Sequence, residues 1–165
     1  MKMTSLLKKT SLIALILVNV GCDQFSKIIV RKHILSHDYI DLFNNNFILT
    51  NVENTGAMLG FGKDFAPILK IIFLQVLPVI VLLFILYRIL TKKDLNKWLT
   101  IAFAFVIGGG ISNLIDRIAY GSVTDFFQIK FGVLKTGIFN MADVSVTTGA
   151  ILIFILSVRH KNLNF

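Results

Sequence analysis

Four long apolar stretches, each close to the length that crosses a bilayer, constrain this chain more than any other feature. They cover about residues 10–30, 67–90, 99–116 and 138–158. A hydrocarbon layer about 30 Å thick takes about 20 residues of helix to cross, and helices satisfy their own backbone polar groups in lipid. The first stretch is interrupted late by Asp23 and Lys27, and the last two reach full length only with their polar ends. Composition agrees: 55% of the 165 residues are hydrophobic and 16% charged, against about 25% charged in a soluble domain. The chain reads as one integral membrane unit over residues 1–165, with an all-α core of four transmembrane helices.

A net charge of +8 raises nucleic acid as a partner, but the basic residues flank apolar segments and form no stripe of their own. They read as membrane anchors. Lys2, Lys8, Lys9, Arg88, Lys92, Lys93, Lys97, Arg159 and Lys161 crowd the short flanks on one side. Their density makes that side, and both termini, cytoplasmic. All acids except Asp94 then lie toward the outer face. One cysteine, Cys22, builds no internal disulfide or multi-Cys metal site, and His33, His37 and His160 form no HExxH pattern. No metal and no cofactor are expected.

Residues 1–22 imitate a lipoprotein signal peptide ending in Gly21-Cys22. Against processing there, Asn19 stands three before the cysteine, where such signals take an aliphatic residue. Apolar character also continues through Phe25, Ile28, Ile29 and Val30. The segment is expected to be the first span. On the outer side, Phe127, Ile129, Phe131 and Val133 alternate with polar or small residues as in a strand. Phe47 to Phe61 reads as extended, with a turn region at Gly56, Gly60 and Gly62. A small outer sheet is expected, with a short interfacial helix over 31–43.

Polar groups cluster where apolar sequence ends, and acids at a membrane boundary are functional suspects. Asp23 and Lys27, four apart, share a helical face: an ion pair closing the span, or a brace or substrate contact. Asn113, Asp116 and Arg117 share another face, with Gly109 one turn earlier allowing close helix approach. Pairing of Arg117 with Asp116 makes Asp116 a scaffold rather than a proton-sharing acid. Asn140 and Asp143 have the spacing of an N-cap and an N3 acid; plain capping and an active carboxylate fit equally. Asp125, in an apolar strand-like run, favours its neutral form, whereas a helix N-terminus favours ionised Asp143. Opposed environments suit an acid/base pair. Asn54 before Thr55-Gly56 reads as a turn residue, or as an amide that holds a peptide backbone. Ser26 and Ser112 have no base at helical spacing, so serine chemistry is weakly supported. A proton-relaying transporter would spread its acids through membrane depth, and a scaffold would tolerate Asp→Asn changes.

Five motifs stand in order: Asp23-Gln24-Phe25-Ser26-Lys27, Asn54-Thr55-Gly56-Ala57, Gly108 to Arg117, Val123-Thr124-Asp125-Phe126 and Phe139-Asn140-Met141-Ala142-Asp143. Together they resemble the lipoprotein signal peptidases (signal peptidase II) of bacteria. The resemblance implies four transmembrane helices with an extracytoplasmic β-cradle and an interfacial helix. It implies an aspartic endopeptidase of the inner membrane that cuts diacylglyceryl-modified prolipoproteins before the lipidated cysteine. Asp125 and Asp143 match the catalytic pair. Asp23, Lys27, Asn54, Gly56, Asn113, Asp116, Arg117 and Asn140 match positions that support the site or contact substrate. Implied partners are lipid-modified prolipoproteins and membrane lipid, with the enzyme a monomer. Met58-Leu59 and Ser112 depart from the usual family pattern and bear on the substrate loop and on packing near Asn113.

Overall fold

The computed structural model describes residues 5–44, 46–92 and 95–159. Lys2, Lys93, Asp94 and Lys161, four of the charges that bear on orientation, lie outside them. Four helices are long and apolar enough to cross a membrane. They are α1 (Ser5–His33), α2 (Pro67–Thr91), α3 (Lys97–Tyr120) and α4 (Met141–Arg159). Each boundary has a local cause. Pro67 opens α2, where a missing N–H costs nothing. Asn96 caps α3 by accepting from the Trp98 amide at 2.8 Å. Gly121, at φ 75°, closes α3 with its N–H on the Arg117 carbonyl.

The helices do not pack equally. Residues Leu12, Ile16, Ile89, Leu99, Phe103, Ala104, Ile107 and Leu156 form one buried cluster joining all four. The tightest contact is α3 against α4, where Gly109 faces the Ala142 carbonyl and Gly149 faces the Ala102 carbonyl. Small residues let these backbones meet without a side chain between them. Only Ile89 of α2 is buried, and a helix apolar on all sides and left uncovered suits lipid. A π-helical turn over Ile72–Val76 interrupts α2.

A four-stranded antiparallel sheet sits at one end of the bundle in the order β1 (Tyr39–Leu42), β2 (Phe47–Asn54), β3 (Val123–Phe131), β4 (Leu134–Lys135). A second cluster, Val30, Ile34 and Phe126, fixes the end of α1 beneath it. The short helix expected over 31–43 does not form. Instead α1 continues to His33, the chain turns with His37 at φ 67°, and Tyr39–Leu42 pairs with β2. Isoleucine and tyrosine at an available sheet edge favour the strand over a weakly amphipathic helix. Residues 5–22 lie within α1, and Leu12 and Ile16 belong to the core.

Candidate active site

Two hydrogen-bonded junctions bring Asp125 and Asp143 together. The Phe126 and Phe127 amides both donate to the Phe139 carbonyl, at 3.0 and 2.8 Å, and the Phe139 amide returns to Phe127 at 2.8 Å. The residues before α4 are thereby stitched to β3. Asn140 then performs the expected reciprocal cap: its amide donates to Asp143 Oδ2 at 3.1 Å, and the Asp143 amide donates to Asn140 Oδ1 at 2.9 Å. The same side chain reaches further. Asn140 Nδ2 donates to Asp125 Oδ1 at 2.6 Å and to Asn113 Oδ1 at 3.2 Å. Capping and bridging are therefore one geometry, and the two readings of Asn140 coincide.

Each carboxylate has a second amide donor. Asn113 Nδ2 donates to Asp143 Oδ1 at 2.9 Å. Asn54 Nδ2 donates to Asp125 Oδ2 at 3.0 Å, while its Oδ1 accepts from the Gly56 amide at 2.9 Å. The Asn54 turn thus presents its amide to an acid. Asp125 is 4% exposed. Burial pushes its carboxyl up to about 7; the nearby Asp143 charge adds to the rise, and the Asn54 and Asn140 amides oppose it.

Behind the pair lies a fully buried ionic cluster. Lys27 Nζ sits 2.6 Å from Asp23 and 2.9 Å from Asp116, all with inaccessible side chains. It also donates to Asn113 Oδ1 at 2.9 Å. Asp23 spans two helices, accepting the Ser112 hydroxyl at 2.7 Å and the Ala142 amide, in the first turn of α4, at 2.8 Å. Ser112 is a donor to this cluster and not a candidate nucleophile. Charges this deep persist because each is paired and hydrogen-bonded.

Arg117 corrects a sequence expectation. It does not neutralise Asp116, which is held by Lys27, by Arg31 at 3.1 Å and by Gln24 at 3.0 Å. Neighbours on a helix project about 100° apart, so Arg117 turns the other way. Its Nη2 donates to the Gly56 carbonyl at 2.7 Å, on the turn whose Asn54 holds Asp125. Gly56 itself has no room for a side chain: a Cβ would lie 2.7 Å from the Gly60 carbonyl group. Gln24 and Thr124 lie within the motifs but carry no role that the motifs announce, and Arg31 lies outside them. One signal was available for Arg31, since Asp23, Lys27 and Arg31 form an i, i+4, i+8 ladder.

The arrangement joins two carboxylates through one residue, Asn140, with a cation nearby and a polar end of an otherwise apolar bundle. The model of the family described as signal peptidase (SPase) II matches residues 15–159. The chain belongs to the signal peptidase II family. It is similar to the lipoprotein signal peptidase of Borrelia hermsii (strain HS1 / DAH), 36% identical over 153 residues covering 89% of each chain. Against the lipoprotein signal peptidase of Enterococcus faecalis (strain ATCC 700802 / V583), identity is 35% over 153 residues, 93% of this chain and 89% of the other. Among solved structures it resembles a bacterial membrane enzyme determined by the in meso method at 2.3 Å resolution. There the TM-score is 0.81 and identity 27%, over 91% of this chain and 88% of that one. Membership makes the chain a peptidase of a bacterial membrane, with its helices and sheet in the family's arrangement.

Proposed function

We propose that this protein is an aspartic endopeptidase of the bacterial inner membrane that removes the signal peptide from prolipoproteins, with Asp125 and Asp143 as its catalytic pair. The substrate is a prolipoprotein whose cysteine already carries diacylglycerol, cut on the N-terminal side of that cysteine. The observation that carries the reading is Asn140, which donates to both carboxylates, to Asp125 through its side-chain amide and to Asp143 through its backbone amide. Two acids so close resist ionising together and share a proton.

Burial lifts Asp125 to about 7, which suits it to donate the shared proton. Asp143 takes a proton from water as the oxygen attacks the scissile carbonyl carbon. Asp125 gives its proton to the carbonyl oxygen. Collapse of the tetrahedral species breaks the C–N bond as Asp143 gives its proton to the leaving nitrogen and Asp125 takes one back from the diol oxygen. No covalent enzyme intermediate forms. Arg117 and Asn54 position the loop around Gly56 at the edge of the pair. The apolar spans accommodate the signal helix and lipid chains.

Orientation follows from charge. The acids Asp23, Asp116, Asp125 and Asp143 gather at the sheet end, while Arg88, Lys92, Lys97 and Arg159 stand at the other ends of their helices. The positive-inside bias supports a reading with the site toward the outer face and both termini cytoplasmic; the enzyme is proposed to act as a monomer. Purified protein incubated with diacylglyceryl-modified prolipoprotein is expected to release the signal peptide; failure with correctly folded enzyme overturns the reading.

A further inference from the structure

Arg31 ends the charged ladder on α1, and its guanidinium meets three elements at once. Nη2 forms an ion pair with Asp116 Oδ2 of α3 at 3.1 Å. Nε donates to Thr124 Oγ1 of β3 at 2.7 Å. The guanidinium carbon lies 4.2 Å from the ring centre of Tyr120, a stacking contact that fixes its plane. We propose that Arg31 is a positioning residue for the aspartate pair, holding Asp143 through Asp116 and Lys27 and holding Asp125 through Thr124. This rests on the peptidase reading given above.

The first route concerns charge. Asp23 and Asp116 are both fully buried, and Lys27 lies between them. One cation does not balance two buried carboxylates; Arg31 supplies the second. Lys27 then keeps a donor for Asn113 Oδ1. That bond, with the longer one from Asn140, sets which way the carboxamide faces, so that Asn113 Nδ2 points at Asp143 Oδ1. Without Arg31 the two acids compete for Lys27 as their one cation, and Asn113 Oδ1 keeps only its longer bond from Asn140.

The second route is mechanical. Thr124 and Asp125 are neighbours on β3, so their side chains leave opposite faces of the strand. Arg31 grips Thr124 from behind, and Thr124 Oγ1 in turn donates to Glu53 Oε1 at 2.7 Å across the β2–β3 pair. Glu53 also receives the Ser122 hydroxyl. Strand β3 is thereby bolted to α1 and β2 at the position next to Asp125. A lysine at 31 keeps a charge for Asp116 but has no planar fork to span Asp116 and Thr124 together.

The test is steady-state cleavage of a diacylglyceryl-modified prolipoprotein by wild type, Arg31→Ala, Arg31→Lys and Asp125→Asn, with thermal unfolding measured on each. Arg31→Ala is expected to lower kcat by roughly 10- to 100-fold, the scale of a small misplacement of catalytic groups, with KM within about twofold because substrate contacts are untouched. Millimolar guanidinium in the assay restores part of the lost kcat, and Arg31→Lys falls between wild type and Arg31→Ala. Wild-type kcat in Arg31→Ala overturns the proposal. So does a loss that tracks the unfolding midpoint and resists guanidinium, which assigns Arg31 to folding alone. Should Arg31→Ala not fold, Arg31→Lys decides: wild-type kcat there removes the Thr124 route. An inactive wild type instead overturns the peptidase reading.

Discussion

Asp125 and Asp143 differ in what surrounds them, and that difference yields two separable expectations. Asp125→Asn and Asp143→Asn should each lower turnover by about 100-fold or more while the protein stays folded and membrane-inserted, checked by cleavage assay and by unfolding in detergent. The second expectation concerns stability. The Asp125 carboxyl rises from its ordinary 3.8 to about 7 on folding. Between those values the folded state binds more protons than the unfolded state, so stability falls as pH rises. Asp125→Asn removes this penalty. Its unfolding midpoint should match wild type near pH 4 and exceed it near pH 8, by a few kcal/mol at most. Equal midpoints at both values would show that Asp125 is not held neutral by burial. Activity and stability should thus move in opposite directions in this one variant.

At the scale of elements, the site is held by the α3–α4 contact and by the ionic cluster from α1. A methyl at Gly109 meets the Ala142 carbonyl and the Val146 side chain, so Gly109→Ala should push α4 outward. A loss of about 1–3 kcal/mol is expected, with activity falling further because Asn113 and Asp143 sit on opposite sides of that contact. Asp116→Ala strands Lys27 and Arg31 without their shared carboxylate and should cost about 3–5 kcal/mol, read as a lowered unfolding midpoint. Much of this was legible in the sequence. Apolar length reveals the four helices, and strict alternation reveals β3. The Asn140/Asp143 spacing announces a cap, and Gly109 a close approach. Other parts were not legible, for physical reasons. Residues 31–43 carry weak periodicity, and their strand exists only because β2 offers an edge. Adjacent charges suggest an Asp116–Arg117 pair, but the helix sends them apart, and the true partners come from α1, more than eighty residues away in the chain. The bridging role of Asn140 depends on the β3–Phe139 stitching, which no local pattern announces.

Over the whole molecule, polarity is segregated along the bundle axis: an apolar middle, the described acids with the sheet at one end, and Arg88, Lys92, Lys97 and Arg159 at the other. Such a protein should insert with its termini on the cytoplasmic side. Reporter fusions after Arg159 should be active only as cytoplasmic reporters, and a cysteine placed on the exposed β3–β4 turn at Val133 should react with a membrane-impermeant thiol reagent from outside. The reverse labelling would invert the topology and separate the site from exported substrates. The central claim is that two aspartates joined by Asn140 hydrolyse a lipid-modified prolipoprotein. Its most direct measurement is release of the signal peptide from diacylglyceryl-modified prolipoprotein by purified wild type, Asp125→Asn and Asp143→Asn. Cleavage by wild type alone, with both folded variants inactive, is the expected result; substantial turnover by either variant would contradict the account.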